Sequence, residues 1–284
     1  MPDLEKTLKQ NFKLDSFREW QREIIEDIIW LNDTLVFMPT WWWKSLVFQL
    51  PGLVLPWLTI VISPLISLMK DQVDKLNEIW IRAELINSTI SFNEQQYLLN
   101  ELSATDYWLE EDNYKVIKFL YIAPERLNSD VFVRVINKIN IALIAIDEAH
   151  CISQWWHDFR PSYMKIHKFL DILKKNNSNT KIPIVALTAT ATKKVREDIV
   201  SKIWLNDYKI HIKWFDRKNI AIIVREISKK EEKLNKVIEI INNVNWVWII
   251  YCSSIKIVKE VYEYLLQNDI SVWMYTWEMN TKDR

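Results

Sequence analysis

Two short elements carry residue types suited to phosphate chemistry. In MPTWWWKSLVFQLPG, Met38 to Gly52, an apolar run ending at Phe37 meets a Pro-Thr turn, and Lys44-Ser45 opens the next apolar segment. Strand, loop, Lys-Ser, helix is the order of a phosphate-binding loop, where backbone N–H groups and a helix N-terminus point at an anion. Thr40 and residues 41–43 would form the cradle, Lys44 would place its charge near the β- and γ-phosphates, and Ser45 would give its hydroxyl to Mg²⁺. Further along, Asp147-Glu148 follows the apolar run ALIAI, so both carboxylates project from the end of a strand. Asp147 would hold Mg²⁺ and Glu148 would polarise an attacking water. Taken singly, Lys-Ser is a solvated helix start and Asp-Glu a helix cap. Together they specify nucleotide hydrolysis.

The elements that must position these residues follow from periodicity. Residues 1–33 read as helical. After them, short β-branched runs (TLVFM, LTIVIS, AELINS, KFLYIAP, ALIAID, IPIVALT) alternate with amphipathic stretches of helical spacing. Continuous apolar strands alternating with helices indicate an α/β fold, a parallel sheet covered by helices on both faces. The pattern restarts near WFDRKNI, Trp214 to Ile220, with further expected strands in VWIIYCSS and ISVWMY around two helices. Two domains are therefore expected, residues 1–214 and 215–284. Lys+Arg and Asp+Glu both number 37, so net charge is neutral toward a polyanionic partner. Cys151 and Cys252 stand alone, which fits a reducing cytoplasm, and the apolar stretch from Leu53 to Met69 is broken by Pro56 and Pro64, which argues against a membrane partner.

One count contradicts this frame. The chain has 1 Gly and 16 Trp, where average usage of about 7% would give roughly 20 glycines. Trp20, Trp57, Trp80, Trp204, Trp248 and Trp277 fall at element boundaries, where positive φ or close backbone approach favours glycine. Indoles at 41–43 would keep a phosphate from the main chain. A surface for stacking nucleic acid would instead gather its tryptophans on one face. The expectation is that most of these positions are glycine, encoded by UGA in an AT-rich gene and decoded as tryptophan by another code. UGA at codons 41–43 and 156, with UGG at 155, would establish it.

The motifs resemble those of the RecQ-family DNA helicases of superfamily two, from about Phe12 onward. FREWQREII is similar to the family's adenine-reading element, which implies that Gln21 pairs with adenine N6 and N7. VISPLISLMKDQV and LYIAPERL resemble elements that grip the DNA backbone and line the interdomain face. Lys70, Arg126 and Arg160 are candidate phosphate contacts, although a single surface cation is more often solvated. DEAHCISQWWHDFRPSY resembles the Walker B box and its aromatic-rich loop, and ALTATAT resembles the element that couples hydrolysis to movement. The resemblance implies two RecA-like domains, the second incomplete at Arg284. It implies ATP and Mg²⁺ as cofactors and 3′-to-5′ unwinding in bacterial DNA repair and recombination, with single-stranded and partially duplex DNA as partner in a nucleoid-associated cytoplasmic setting. By the same resemblance, Trp155 and Phe159 stack on unpaired bases. Gln154, His157, Asp158 and Arg160 sense the nucleotide. His150 either links the carboxylate box to the coupling strand through Thr188 or Thr190, or is a plain hydrogen-bonded core histidine. The family has glycine at 41–43, 156 and 277, and in many members at 20, while Trp155 matches a family tryptophan. Lys218 stands where proline is usual. An arginine finger, a zinc-binding module and a winged helix, all features of the family, have no counterpart up to Arg284. Two other readings stay open: an RNA-remodelling ATPase of the same superfamily, and a non-catalytic Trp-rich binding fragment.

Overall fold

The fold was obtained as a computed structural model. It describes residues 3–38, 43–105, 116–153, 163, 165–176, 181–189, 192–205, 207–213, 220–244, 246–276 and 278–279, without the side chains of residues 43 and 176. The chain divides into two compact units, Met1–Asp216 and Arg217–Arg284.

Unit 1 runs α1 (Leu4–Phe12), α2 (Gln21–Ile29), β1 (Thr34–Phe37), α3 (Trp43–Val54), β2 (Leu58–Ile62), α4 (Ile66–Glu78), β3 (Ala83–Ile86), α5 (Phe92–Ala104) and β4 (Phe119–Ile122). It continues with α6 (Asp130–Ile136), β5 (Ile141–Ile146), α7 (Ile166–Asn176), β6 (Ile184–Thr188), α8 (Lys193–Ile203) and β7 (Lys209–Ile212). Short 3-10 turns lie at Pro124–Asn128 and Ala149–Ile152. The seven strands pair in parallel in the order β3-β4-β2-β5-β6-β1-β7.

Alternation along the strands splits the core in two. Leu35, Ile60, Ile62, Ile144 and Ile146 pack with residues of α5 to α8 on one face. Val36, Val61, Leu143, Ala145 and Val185 pack with α1 to α4 on the other. Burial on both faces is why β1, β2, β4, β5 and β6 read as apolar runs. The stretch 1–33, expected to be helical, holds two helices. Lys13 ends α1 in a left-handed conformation (φ 56°), and α2 starts only at Gln21. Helix starts are set by local chemistry: Asp3 accepts the N–H of Lys6, Ser91 and Glu94 form a reciprocal capping box, and Thr192 accepts the N–H of Val195.

Gly52 sits in α3 against the sheet. A Cβ there would lie 2.6 Å from both Phe119 Cε1 and Thr59 Oγ1. The chain's one glycine thus occupies a point of close helix–sheet approach. Trp57, Trp80 and Trp204 have φ of 71°, 63° and 51°, the left-handed region that bulky side chains avoid. Trp20 and Trp248 do not: Trp20 has φ −95°, and Trp248 is absent from the positive-φ residues. Trp277 lies outside the described residues.

Unit 2 contains α9 (Lys230–Asn243) and α10 (Ile255–Gln267), joined by Tyr264 Oη donating to Asn235 Oδ1 (2.6 Å) and by a Lys230–Glu260 ion pair (2.6 Å). The strands expected in VWIIYCSS and ISVWMY are not formed among the described residues. A strand requires a hydrogen-bonded neighbour, and Val247, Tyr251 and Trp273 of these segments are exposed. No helix among the described residues is long and apolar enough to cross a membrane.

Candidate active site

The sheet order puts β6 between β5 and β1, so the residues that follow these three strands share one edge of the sheet. That is where open α/β sheets bind ligands. Lys44, in the first turn of α3, is 6% exposed, and Asp147, directly after β5, is 4% exposed. Lys44 Nζ lies 2.7 Å from Asp147 Oδ1 and 3.1 Å from Glu148 Oε1. His150 Nδ1 lies 2.9 Å from Thr188 Oγ1, at the end of β6, and 3.2 Å from Glu148 Oε2. Sequence elements far apart in the chain therefore meet in one cluster.

The cluster is electrostatically closed. Burial, the largest influence on Lys44, works against its charge, but Asp147 and Glu148 outweigh it and raise its pKa. Burial also opposes ionisation of Glu148. Hydrogen bonding from His150 and the charge of Lys44 prevail and hold its carboxyl down at about 2. For His150, burial again opposes charge, and contacts with Cys151 and Glu148 overcome it and push the imidazole up to about 9. Lys44, His150, Asp147 and Glu148 thus form a quartet in which the surroundings favour the charged forms of Lys44, His150 and Glu148.

Backbone geometry at this point is strained. Glu148 has φ 47° and ψ 46°, and its N–H donates to Asp147 Oδ1 (2.9 Å). Such outliers persist where their surroundings over-determine them, and they gather at functional sites. Tyr163 Oη donates to the backbone carbonyl of Asp147 (3.1 Å) and steadies the strand end from behind. A cavity of ≈ 280 Å³ opens beside Lys44, Ser45, Asp147 and Glu148 and extends to Phe12 and Leu14. The hydroxyl of Ser45 and the carboxylate of Asp147 are hard oxygen donors and fit Mg²⁺. Lys44 Nζ and the N–H of Glu148 both meet Asp147 at Oδ1.

Gln21, the first residue of α2, is fully buried, and its Oε1 accepts the N–H of Arg18 (2.9 Å); it does not line the cavity. Thr40, Trp41 and Trp42 lie outside the described residues, as does the side chain of Trp43. So do Gln154, Trp155, His157, Asp158, Phe159, Arg160 and Thr190. Lys70 is exposed on α4. Arg126 instead turns onto the protein, donating to Gln95 Oε1 (3.0 Å) and to the carbonyl of Asn87. Sequence reasoning assigned no role to His211, yet its Nε2 meets Asp27 Oδ2 at 2.8 Å and ties β7 to α2. The family model for the DEAD/DEAH box helicases matches residues 18–199, which hold the whole quartet.

The chain belongs to the DEAD/DEAH box helicase family.

Among curated members, it is 37% identical over 262 residues to the probable ATP-dependent DNA helicase RecS of Bacillus subtilis, covering 92% of this chain and 49% of that protein. It is 39% identical to the ATP-dependent DNA helicase RecQ of Haemophilus influenzae, covering 98% of this chain and 42% of that protein. This helicase chain therefore spans about half the length of the curated relatives it matches, or less. Its fold is also that of the DUF1998 helicase MrfA in the crystal structure bound to DNA and AMPPNP, with a TM-score of 0.66 at 16% identity over 94% of this chain and 38% of that one.

Proposed function

We propose that this chain carries the ATP-hydrolysing core of a RecQ-type DNA helicase that moves 3′ to 5′ on single-stranded DNA and unwinds duplexes in repair and recombination. The observation that carries the proposal is the buried placement of Lys44 between Asp147 and Glu148, at 2.7 and 3.1 Å. Lys44 leaves these carboxylates to meet the β- and γ-phosphates of ATP. Ser45 and Asp147 would hold Mg²⁺, which would supply neutralisation of charge on the phosphate oxygens. Glu148, relieved of Lys44, becomes a stronger base and orients the attacking water. His150, bonded to Thr188, carries the change from the carboxylate turn to β6. Residues 41–43 supply main-chain N–H groups, and we propose glycine at all three in the cellular protein. The names of the relatives, ATP-dependent DNA helicases, favour DNA over RNA as the track.

The test is ATP turnover by the intact gene product with single-stranded DNA or RNA added. DNA should stimulate hydrolysis, and Lys44→Ala should reduce it by about a hundredfold or more. Stimulation by RNA alone would favour an RNA-remodelling ATPase. Strand binding with no hydrolysis in any condition would favour the non-catalytic alternative. Intact mass should match glycine rather than tryptophan at the substituted positions, and tryptophan at all of them in an active enzyme would overturn the cradle.

A further inference from the structure

The carboxylate turn is held from a second side, by α8. Cys151 donates its N–H to the carbonyl of Glu148 (2.9 Å), and Ser153 donates its N–H to the carbonyl of His150 (3.1 Å). These bonds close the turn that follows the strained Glu148. Ser153 is 1% exposed, and its hydroxyl donates to Asp198 Oδ2 at 2.5 Å. Lys202 Nζ donates to the carbonyl of Ile152 at 3.2 Å. Asp198 and Lys202 lie four residues apart, on one face of α8. With His150 on Thr188, the segment 148–153 is fastened at three points to the β6–α8 element.

From this geometry we infer that Asp198 and Lys202 are positioning residues for the reaction: they clamp the turn that carries Glu148 and His150. The hydroxyl–carboxylate bond is charge-assisted and buried at the Ser153 end, which makes it one of the stronger side-chain bonds available. Its position matters more than its strength. A left-handed residue relaxes when its neighbours allow it, and release of Ser153 and Ile152 frees the C-terminal end of the turn that Glu148 begins. The carboxylate then loses its register against Lys44 and the attacking water. Asp198 and Lys202 touch no reacting atom and act through the turn.

The inference rests on the ATPase proposal, and the test separates the two. In the intact gene product, Asp198→Ala should lower kcat for DNA-stimulated ATP hydrolysis by about tenfold or more, with KM for ATP little changed and the melting temperature nearly retained. Asp198→Asn keeps an acceptor for Ser153 and should restore most of the rate. Combined with Thr188→Val, Asp198→Ala should cost less than the product of the two separate losses, because both act on one turn. Independently of activity, amide exchange at Cys151 and Ser153 should accelerate in Asp198→Ala. A parent protein without turnover counts against the ATPase proposal, and the exchange measurement then still judges the clamp. Unchanged kcat with unchanged exchange, or equal losses in the Asn and Ala variants, overturns the clamp.

Discussion

At Trp80 and Trp204 the backbone turns left-handed beneath side chains that are 77% and 54% exposed. A Cβ in that conformation costs about 1–2 kcal/mol, and exposed indoles recover little by packing. Trp80→Gly and Trp204→Gly should each stabilise the protein by about 1 kcal/mol, read as a higher urea midpoint with the slope unchanged. Gly52→Ala should act the other way, costing about 1–3 kcal/mol, because its methyl would meet the Phe119 ring and Thr59. The charged residues give a pH signature. The pKa of His150 is raised from 6.5 to about 9, so its stabilising contribution is full below pH 6.5 and lost as pH rises through 9. That of Glu148 is lowered from 4.5 to about 2, so its contribution is full above pH 4.5 and lost as pH falls through 2. His150→Gln should remove most of the stability change between pH 6.5 and 9 in a series of urea titrations. Lys44, Ser45, Asp147 and Glu148 could be picked out of the sequence because each follows an apolar strand. Ser153, Asp198 and Lys202 could not, since a serine and an i,i+4 acid–base pair occur on countless solvated helix faces.

Elements were legible to the degree that burial was two-sided. Strands β1, β2, β4, β5 and β6 stand out as apolar runs because helices cover both faces of the sheet there. Strand β7 escapes notice: of Lys209, Ile210, His211 and Ile212 only His211 is buried, so there is no run to see. That histidine is also where β7 is fastened to α2, through Asp27. Asp27→Ala would leave an imidazole buried without its acceptor, and a loss of about 1–3 kcal/mol is expected by chemical denaturation. The break between α1 and α2 was hidden for another reason. Lys13 ends α1 by taking a left-handed conformation, and lysine carries no signal for that. Gln21 illustrates the limit of motif matching. Its identity and place at the start of α2 agree with the adenine-reading element, while its side chain accepts a bond from its own segment.

The whole chain consists of two units that bury their apolar residues to different degrees. Unit 1 has a closed two-faced core, whereas Ile222, Val224, Val247, Ile249, Tyr251 and Trp273 of unit 2 are exposed. Contiguous apolar surface of that kind associates, so the 284-residue polypeptide alone should bind a hydrophobic dye and scatter light at micromolar concentration. Limited proteolysis should cut within 217–284 well before it reaches the strands of unit 1. A monodisperse polypeptide with both units equally resistant would contradict this. The apolar pattern of unit 2 was readable as strands, but pattern names a strand's faces and not its neighbours.

The pairing of Lys44 with two carboxylates has a consequence for how the pocket fills. Drawing the ammonium away would leave two carboxylates, Asp147 and Glu148, against the imidazole of His150 alone within this cluster, so a bare polyphosphate would meet net repulsion as soon as it succeeded. A divalent ion arriving alone meets the ammonium already in its seat. In the proposed ATPase each would be a poor guest without the other, and entry would be cooperative: the metal–nucleotide complex would be admitted as a unit, and stray anions or cations turned away by the same side chains.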